Sequence, residues 1–422
     1  MTNISPDDLV RRAKFAEHSG RFDEARAAWD ALVANNPEHP FALFARGRAH
    51  IDRGDPAGSL ALFQSAEAKD PRNADTPFYH ALAHRMLGNI TAAIDALDRA
   101  LAIDPYFFMA LLSKAALLET RGETRTAARI YANALKIAPA LERLTTSQRQ
   151  MVAHAKKLVA NSAQALAQHL RARTNHLRNA ATGDDLGRFD ECLDVLAGVK
   201  SRPIQEPLGL FFPELPIISF YKRERFPWLT ELEAATDAIR AELEIVMRED
   251  ATDFSPYIQF QQGAPINQWT ELNHSLSWST FFLWRDGVRQ ERNCERCPKT
   301  AALLASLPMA HQPGFGPTAM FSVLQPRTRI PPHTGSTNIR LITHLPLILP
   351  PDCRFRVGNH TRDWKMGEAW VFDDTIDHEA HNDSDEVRVI LIFDVWNPFL
   401  SEAERVLVSE MMTALAEFNT QA

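Results

Sequence analysis

The chain has 422 residues, 45% of them apolar, a formal net charge of −7 and a sequence pI of about 6.1. That length suffices for two or three domains with sizeable cores, and the acidic balance excludes a dominant nucleic-acid or anionic-membrane footprint. The opening residues, MTNISPDDLV, lack the basic and apolar regions of a signal peptide, and no run approaches the roughly 20 apolar residues that span a bilayer. Four cysteines are too few for a disulfide scaffold, so the expected compartment is the cytoplasm.

The N-terminal third repeats. Gly20, Gly54, Gly88 and Gly122 recur at an interval of 34, and so do Pro37, Pro71, Pro105 and Pro139. Ala13, Gly47, Ala81 and Ala115 precede those glycines at one fixed offset; Ala25, Ser59, Ala93 and Ala127, then Trp29, Phe63, Leu97 and Tyr131, follow at two others. Small residues let two helices approach, the glycine permits the turn and the proline ends the second helix, so each unit is a predicted helical hairpin. The pattern resembles the tetratricopeptide repeat over residues 6–141 in four units, which implies a helical solenoid whose concave face holds a peptide or protein segment. Met151 to Leu177 continues as an amphipathic helix capping the last repeat. NAATGDD (179–185) breaks it, a short helix is expected from Phe189 to Ala197, and KSRPIQEP (200–207) is a linker, which makes 142–204 a helical cap and linker.

From Leu208 the texture turns aromatic and proline-punctuated. TELEAATDAIRAELEIVM (230–247) is a predicted helix; MFSVLQ (320–325), NIRLITHLPLIL (338–349), CRFRV (353–357), EAWVF (368–372) and VRVILIFDVW (387–396) are predicted strands, and a last helix is expected from Ser401 to Phe418. The fold class is therefore multidomain α plus β: a helical solenoid, then, over 205–422, an all-β barrel or jelly roll with flanking helices.

Chemistry gathers in this second region. His333 and His378 are imidazoles at separate strand ends, able to converge on iron, copper, zinc or nickel. Arg388 opens an apolar strand, where a buried cation needs an anionic partner, and Ser322 offers a hydroxyl to the same anion. HTGSTNIRLITH (333–344) alternates like one strand with a histidine at each end, so His333 and His344 are expected along a single strand. CERC (294–297) has zinc-like spacing but no second pair nearby, and is read as structural.

Together ELP (214–216), PWLTELEAATDAIRAEL (227–243), CPKTAALL (297–304), HTGSTNIRLITHLPLILP (333–350), WKMGEAWVFDDTIDHEAHND (364–383) and VRVILIFDVWNP (387–398) resemble the aspartyl/asparaginyl β-hydroxylase family of iron(II) and 2-oxoglutarate dependent oxygenases. The resemblance implies a cupin-like double-stranded β-helix, with Fe(II), 2-oxoglutarate and O₂ used to hydroxylate an unactivated carbon, such as the β-carbon of Asp or Asn in a peptide or protein. It makes His333 and His378 the metal ligands at the catalytic centre, gives Ser322 and Arg388 the distal carboxylate of 2-oxoglutarate, and sets His344 by its chelating end. Gly335 stands where most such oxygenases carry a carboxylate ligand, leaving water, Asp374 or Asp377 to complete the shell. Ile342 stands where many relatives carry an arginine; Arg340, on the same strand face, is expected to replace that cosubstrate contact. The rival from another class is a catalytically inactive tetratricopeptide adaptor, hinted at by Gly335 and Ile342. Neither reading calls for nucleic acid or a membrane span.

Overall fold

A computed structural model describes residues 5–181, 185–249 and 253–420, and the chain divides into two units, 1–200 and 201–422. In the first, the repeat becomes four helical hairpins: α1 (Pro6–His18) with α2 (Phe22–Asn35), α3 (Pro40–Asp52) with α4 (Pro56–Lys69), α5 (Asp75–Met86) with α6 (Ile90–Ile103), and α7 (Phe108–Thr120) with α8 (Thr124–Lys136). Gly20, Gly54, Gly88 and Gly122 turn each hairpin at φ of 71°, 75°, 78° and 86°, a left-handed conformation that penalises any Cβ. Gly47 is small for another reason: a Cβ there would lie 2.6 Å from the Phe63 ring. Trp29 and Tyr131, equivalent in the first and fourth repeats, donate to Glu17 at 3.0 Å and Glu119 at 3.3 Å. Helix α9 (Thr146–Ala180) opens on a capping box between Thr145 and Gln148. It covers the last hairpin through Met151, Ala155, Leu158 and Val159, and α10 (Gly187–Ala197) packs Leu193 and Ala197 on its Ala167 and Leu170. Of the expected break, 182–184 lie outside the described residues.

In chain order the second unit runs α11 (Leu229–Ala234), α12 (Thr236–Glu249), β1 (Ser255–Pro256), β2 (Trp278–Arg285), β3 (Val288–Arg289), α13 (Glu291–Arg296), α14 (Pro298–Ser306), β4 (Ala319–Leu324), β5 (Thr328–His333), β6 (Arg340–Ile348), β7 (Cys353–Val357), β8 (His360–Asp363), β9 (Trp370–Phe372), β10 (His378–Asn382), β11 (Arg388–Trp396) and α15 (Glu402–Thr420). The predicted helix over 230–247 is two helices with a break at Ala235. The strands form two antiparallel sheets, β1-β2-β4-β11-β6-β9 with β3 on β2, and β5-β10-β7-β8.

Strand β11 shows how sequence builds the layers. Val389, Leu391, Phe393 and Val395 face a core shared with Leu232, Ile239, Leu243 and Leu304 of the helices, while Arg388, Ile390, Ile392 and Asp394 face a cavity on the other side. Both faces are covered, which is why the strand reads as nearly continuous apolar residues. On the cavity side Ile330, Phe355, Phe372, Ile376 and Ala380 join Trp278, Leu324 and Ile390 in a second core, so the cavity has aromatic and aliphatic walls.

One expectation is overturned here. Residues 333–344 are not a single strand: β5 ends at His333 in the smaller sheet and β6 begins at Arg340 in the larger one. The intervening backbone bonds elsewhere, with Gly335 N–H donating to the Asp374 carbonyl at 2.7 Å, and Gly335 and Ser336 carbonyls accepting from the amides of Leu208 and Gly209 at 2.9 Å. The histidines at the two ends of the segment thus reach the cavity from opposite sheets. The CERC segment closes α13, with Cys294 in the helix and Cys297 as its C-cap; both residues are buried in the core and neither forms a disulfide.

Candidate active site

A cavity of about 390 Å³ lies between the sheets, lined by His333, His378, His344, Ser322, Arg340 and Arg388 among others, so it brings together all six residues singled out from sequence. His333 and His378 face each other directly across the β5–β10 pairing, their ring centroids 4.1 Å apart. Each ring is fixed in the same way: Nδ1 of His333 lies 2.8 Å from the Pro331 carbonyl and Nδ1 of His378 lies 3.1 Å from the Ile376 carbonyl. A carbonyl only accepts, so Nδ1 carries the hydrogen in both rings and the lone pair is left on Nε2. Burial holds both imidazoles below their ordinary range, further so for His378 because of its neighbour His333, and keeps them neutral. Two neutral imidazoles of one tautomer are a donor set that fits a divalent transition metal. Among the described residues no group of three or more His, Cys, Asp or Glu side chains is placed to hold a metal ion. Asp377 is committed to Arg356 at 2.8 Å.

Gly335 has an observable role. A Cβ added there would overlap the Asp374 carboxylate, which occupies the space a larger residue would need. Burial and the charge of Asp373 push the Asp374 carboxyl up to about 8. Gly335→Ala is therefore expected to lower stability by about 1–3 kcal/mol, measured by chemical unfolding, and Asp374→Ala in the same chain should restore much of the loss.

At the other end of the cavity Arg388 is 1% exposed, and its Nε and Nη1 have no hydrogen-bond partner among the described residues. Burial without an anion pushes this guanidinium down to about 10. Ser322, opposite Ile390 on the neighbouring strand, accepts from Trp278 Nε1 at 3.0 Å, which leaves its own O–H free to donate. His344, opposite Ile392, is also buried with an unpartnered Nδ1; burial, then the charge of Arg388, holds it well below its usual range. Arg388 and Ser322 thus offer donors without acceptors, the chemistry that fits a carboxylate, while His344 feels both Arg388 and His378.

Arg340 lines the cavity but is not free. Its Nη1 pairs with Asp394 at 2.6 Å and donates to the Phe315 carbonyl at 2.7 Å, and its Nη2 donates to Ser336 at 3.1 Å. The arginine expected to replace the contact missing at Ile342 is instead neutralised inside the wall. Sequence reasoning missed Asp394, although its place in the same alternating row as Arg388 was a signal. It also missed Trp269, whose ring meets that of His333 edge-on at 5.0 Å, and the 205–209 segment, where Gln205 donates to Asp373 at 2.6 Å; neither carries a local motif.

A two-sheet β unit with a paired-histidine site, following helical repeats, is a recognisable class, and comparison with known proteins narrows it. Residues 233–398 match the family model of the aspartyl/asparaginyl beta-hydroxylases, and residues 12–74 and 44–106 match the tetratricopeptide repeat. The chain is 37% identical over 204 residues to the ornithine lipid ester-linked acyl 2-hydroxylase of Rhizobium tropici, covering 48% of this chain and 68% of that protein. It is 33% identical over 180 residues to the human aspartyl/asparaginyl beta-hydroxylase, covering 42% of this chain and 24% of that protein, and 25% identical over 410 residues to the mouse protein of the same name, covering 92% and 54%. The chain belongs to the aspartyl/asparaginyl β-hydroxylase family. It spans about half the length of the mouse relative and a quarter of the human one.

Proposed function

We propose that the second unit is an iron(II)- and 2-oxoglutarate-dependent dioxygenase that hydroxylates an unactivated carbon, its two sheets forming a double-stranded β-helix around the cavity. The observation that carries this reading is Arg388, a buried guanidinium with two unanswered N–H edges in a cavity that also holds a neutral histidine pair. A dicarboxylate with one end on a metal supplies the missing acceptor at the other. In this reading His333 and His378 hold the iron through Nε2, Arg388 and the Ser322 hydroxyl hold the distal carboxylate, and His344 lies beside the chelating end. Water would take the place of the absent carboxylate ligand. When bound, iron with 2-oxoglutarate and O₂ supplies the oxidising chemistry that places one oxygen atom in a substrate C–H bond and the other in succinate, with release of CO₂. The chain's own share is to fix both imidazoles in one tautomer, anchor the cosubstrate and keep water out with Trp269, Trp278, Phe355 and Phe372.

For the substrate we propose a side chain of a peptide or protein, with the β-carbon of Asp or Asn as the family's example, recruited by the tetratricopeptide unit. A second reading, an acyl chain, is favoured by Ile342, Ile392 and Met320 in the wall and by the pairing of Arg340 with Asp394, and one relative is named for acyl 2-hydroxylation. The compartment proposed is the cytoplasm, in keeping with four free cysteines; no helix among the described residues is long and apolar enough to cross a membrane.

The experiment compares the full chain with a chain beginning at Ser201, each given Fe(II), 2-oxoglutarate, air and a cell lysate, with mass spectrometry for one-oxygen additions. The second unit has its own cores and should keep uncoupled succinate formation. Peptide products that require the repeats are the expected result. A hydroxylated lipid made equally by both selects the acyl reading, and no succinate from either selects the adaptor.

A further inference from the structure

We propose that Trp364 is the positioning residue for Arg388, presenting the guanidinium to the distal carboxylate of the cosubstrate; this rests on the reading of the site as a 2-oxoglutarate site. Arg388 Cζ lies 5.0 Å from the centroid of the Trp364 ring, and with Nε and Nη1 unpartnered that ring face is what orients the guanidinium. Such a cation over an indole is attracted by the ring quadrupole, most strongly when water is excluded, and Trp364 is itself buried.

The ring is in turn fixed. Trp364 follows directly on β8, stacks on Trp370 at 5.6 Å and 19°, packs against Phe355 at 5.3 Å, and lies stacked with His344 at 6.1 Å and 27°. One indole therefore touches the residues assigned to both ends of the cosubstrate. A hydrogen-bonded ion pair would hold Arg388 as firmly, but it would also neutralise the charge and occupy the edges a carboxylate needs. A π face holds the cation and leaves its N–H edges open, so the anchor is kept aimed and unspent.

The test is calorimetric binding of 2-oxoglutarate to the full chain loaded with Mn(II), which reads affinity without turnover. Trp364→Leu is expected to weaken binding about tenfold, in line with a desolvated cation–π contact, and Trp364→Phe, which keeps a ring, should recover most of that. The Mn(II) affinity, read separately, reports whether the histidine pair is intact; if the leucine variant fails to fold, Trp364→Met takes its place. Because Trp364 acts through Arg388, the Trp364→Leu, Arg388→Ala double variant should bind no more weakly than Arg388→Ala alone. Additive losses, or wild-type affinity in Trp364→Leu, would overturn the proposal. Wild-type affinity in Arg388→Ala would instead overturn the cosubstrate site itself.

Discussion

Arg388→Ala is expected to raise the apparent dissociation constant for 2-oxoglutarate by two decades or more while metal binding persists. The guanidinium is fully enclosed, two of its N–H edges lack acceptors, and burial without a counter-ion already pulls its proton affinity down. A carboxylate entering that end of the cavity leaves water and is compensated by this cation together with the Ser322 hydroxyl. With the cation removed, the carboxylate is buried unpaired, a loss of roughly 3–5 kcal/mol. The apo protein should not suffer in the same way, because the buried charge taken out is met there only by the Trp364 ring face and by no anion. Arg388→Ala should therefore be at least as stable as the parent to denaturant while failing to bind 2-oxoglutarate, and that opposition separates a binding role from a structural one. Calorimetry and urea unfolding on the same preparation check it.

His333→Ala and His378→Ala form the second prediction. With two protein donors, each histidine supplies half of the set, and no third group stands ready among the described residues. Residues that merely orient ligands are worth about 10–100-fold in metal affinity, so losing a ligand should exceed that. Anaerobic Fe(II) titration is expected to show binding in the parent and loss beyond a hundredfold in either variant. The Asp377→Ala variant should bind like the parent, since Asp377 is held by Arg356.

Legibility in the sequence followed how local the causes are. The repeats were readable because glycine in a left-handed turn and proline at a helix end are local demands repeated at a fixed interval, and the hairpins appear where they were expected. Strands β4, β6, β7, β9 and β11 were readable from apolar runs. Strand β5 was not, because TRIPPH carries two prolines, tolerated at the edge of the smaller sheet. Nor was β10, HEAHN, whose buried face is His378, Ala380 and Asn382. Reading 333–344 as one strand failed because alternation cannot reveal a change of sheet, which here is set by hydrogen bonds to Asp374 downstream and to Leu208 and Gly209 far upstream. The need of Arg388 for an anion was visible from its place in an apolar strand. That Arg340 would already be paired was not, since the partner Asp394 lies on another strand, and which residues meet depends on register, Asp394 standing opposite Ile342.

We propose that the histidine pair and the buried arginine together run 2-oxoglutarate-dependent oxygen chemistry. It is tested most directly by incubating the full chain with Fe(II), air and 2-oxoglutarate labelled in the carboxylate lost as CO₂, and measuring the label released. Release well above the iron-only blank, abolished in His333→Ala and His378→Ala and restored in Arg388→Ala only at far higher 2-oxoglutarate, is the predicted result. No release from the parent chain, or equal release from the histidine variants, would contradict it.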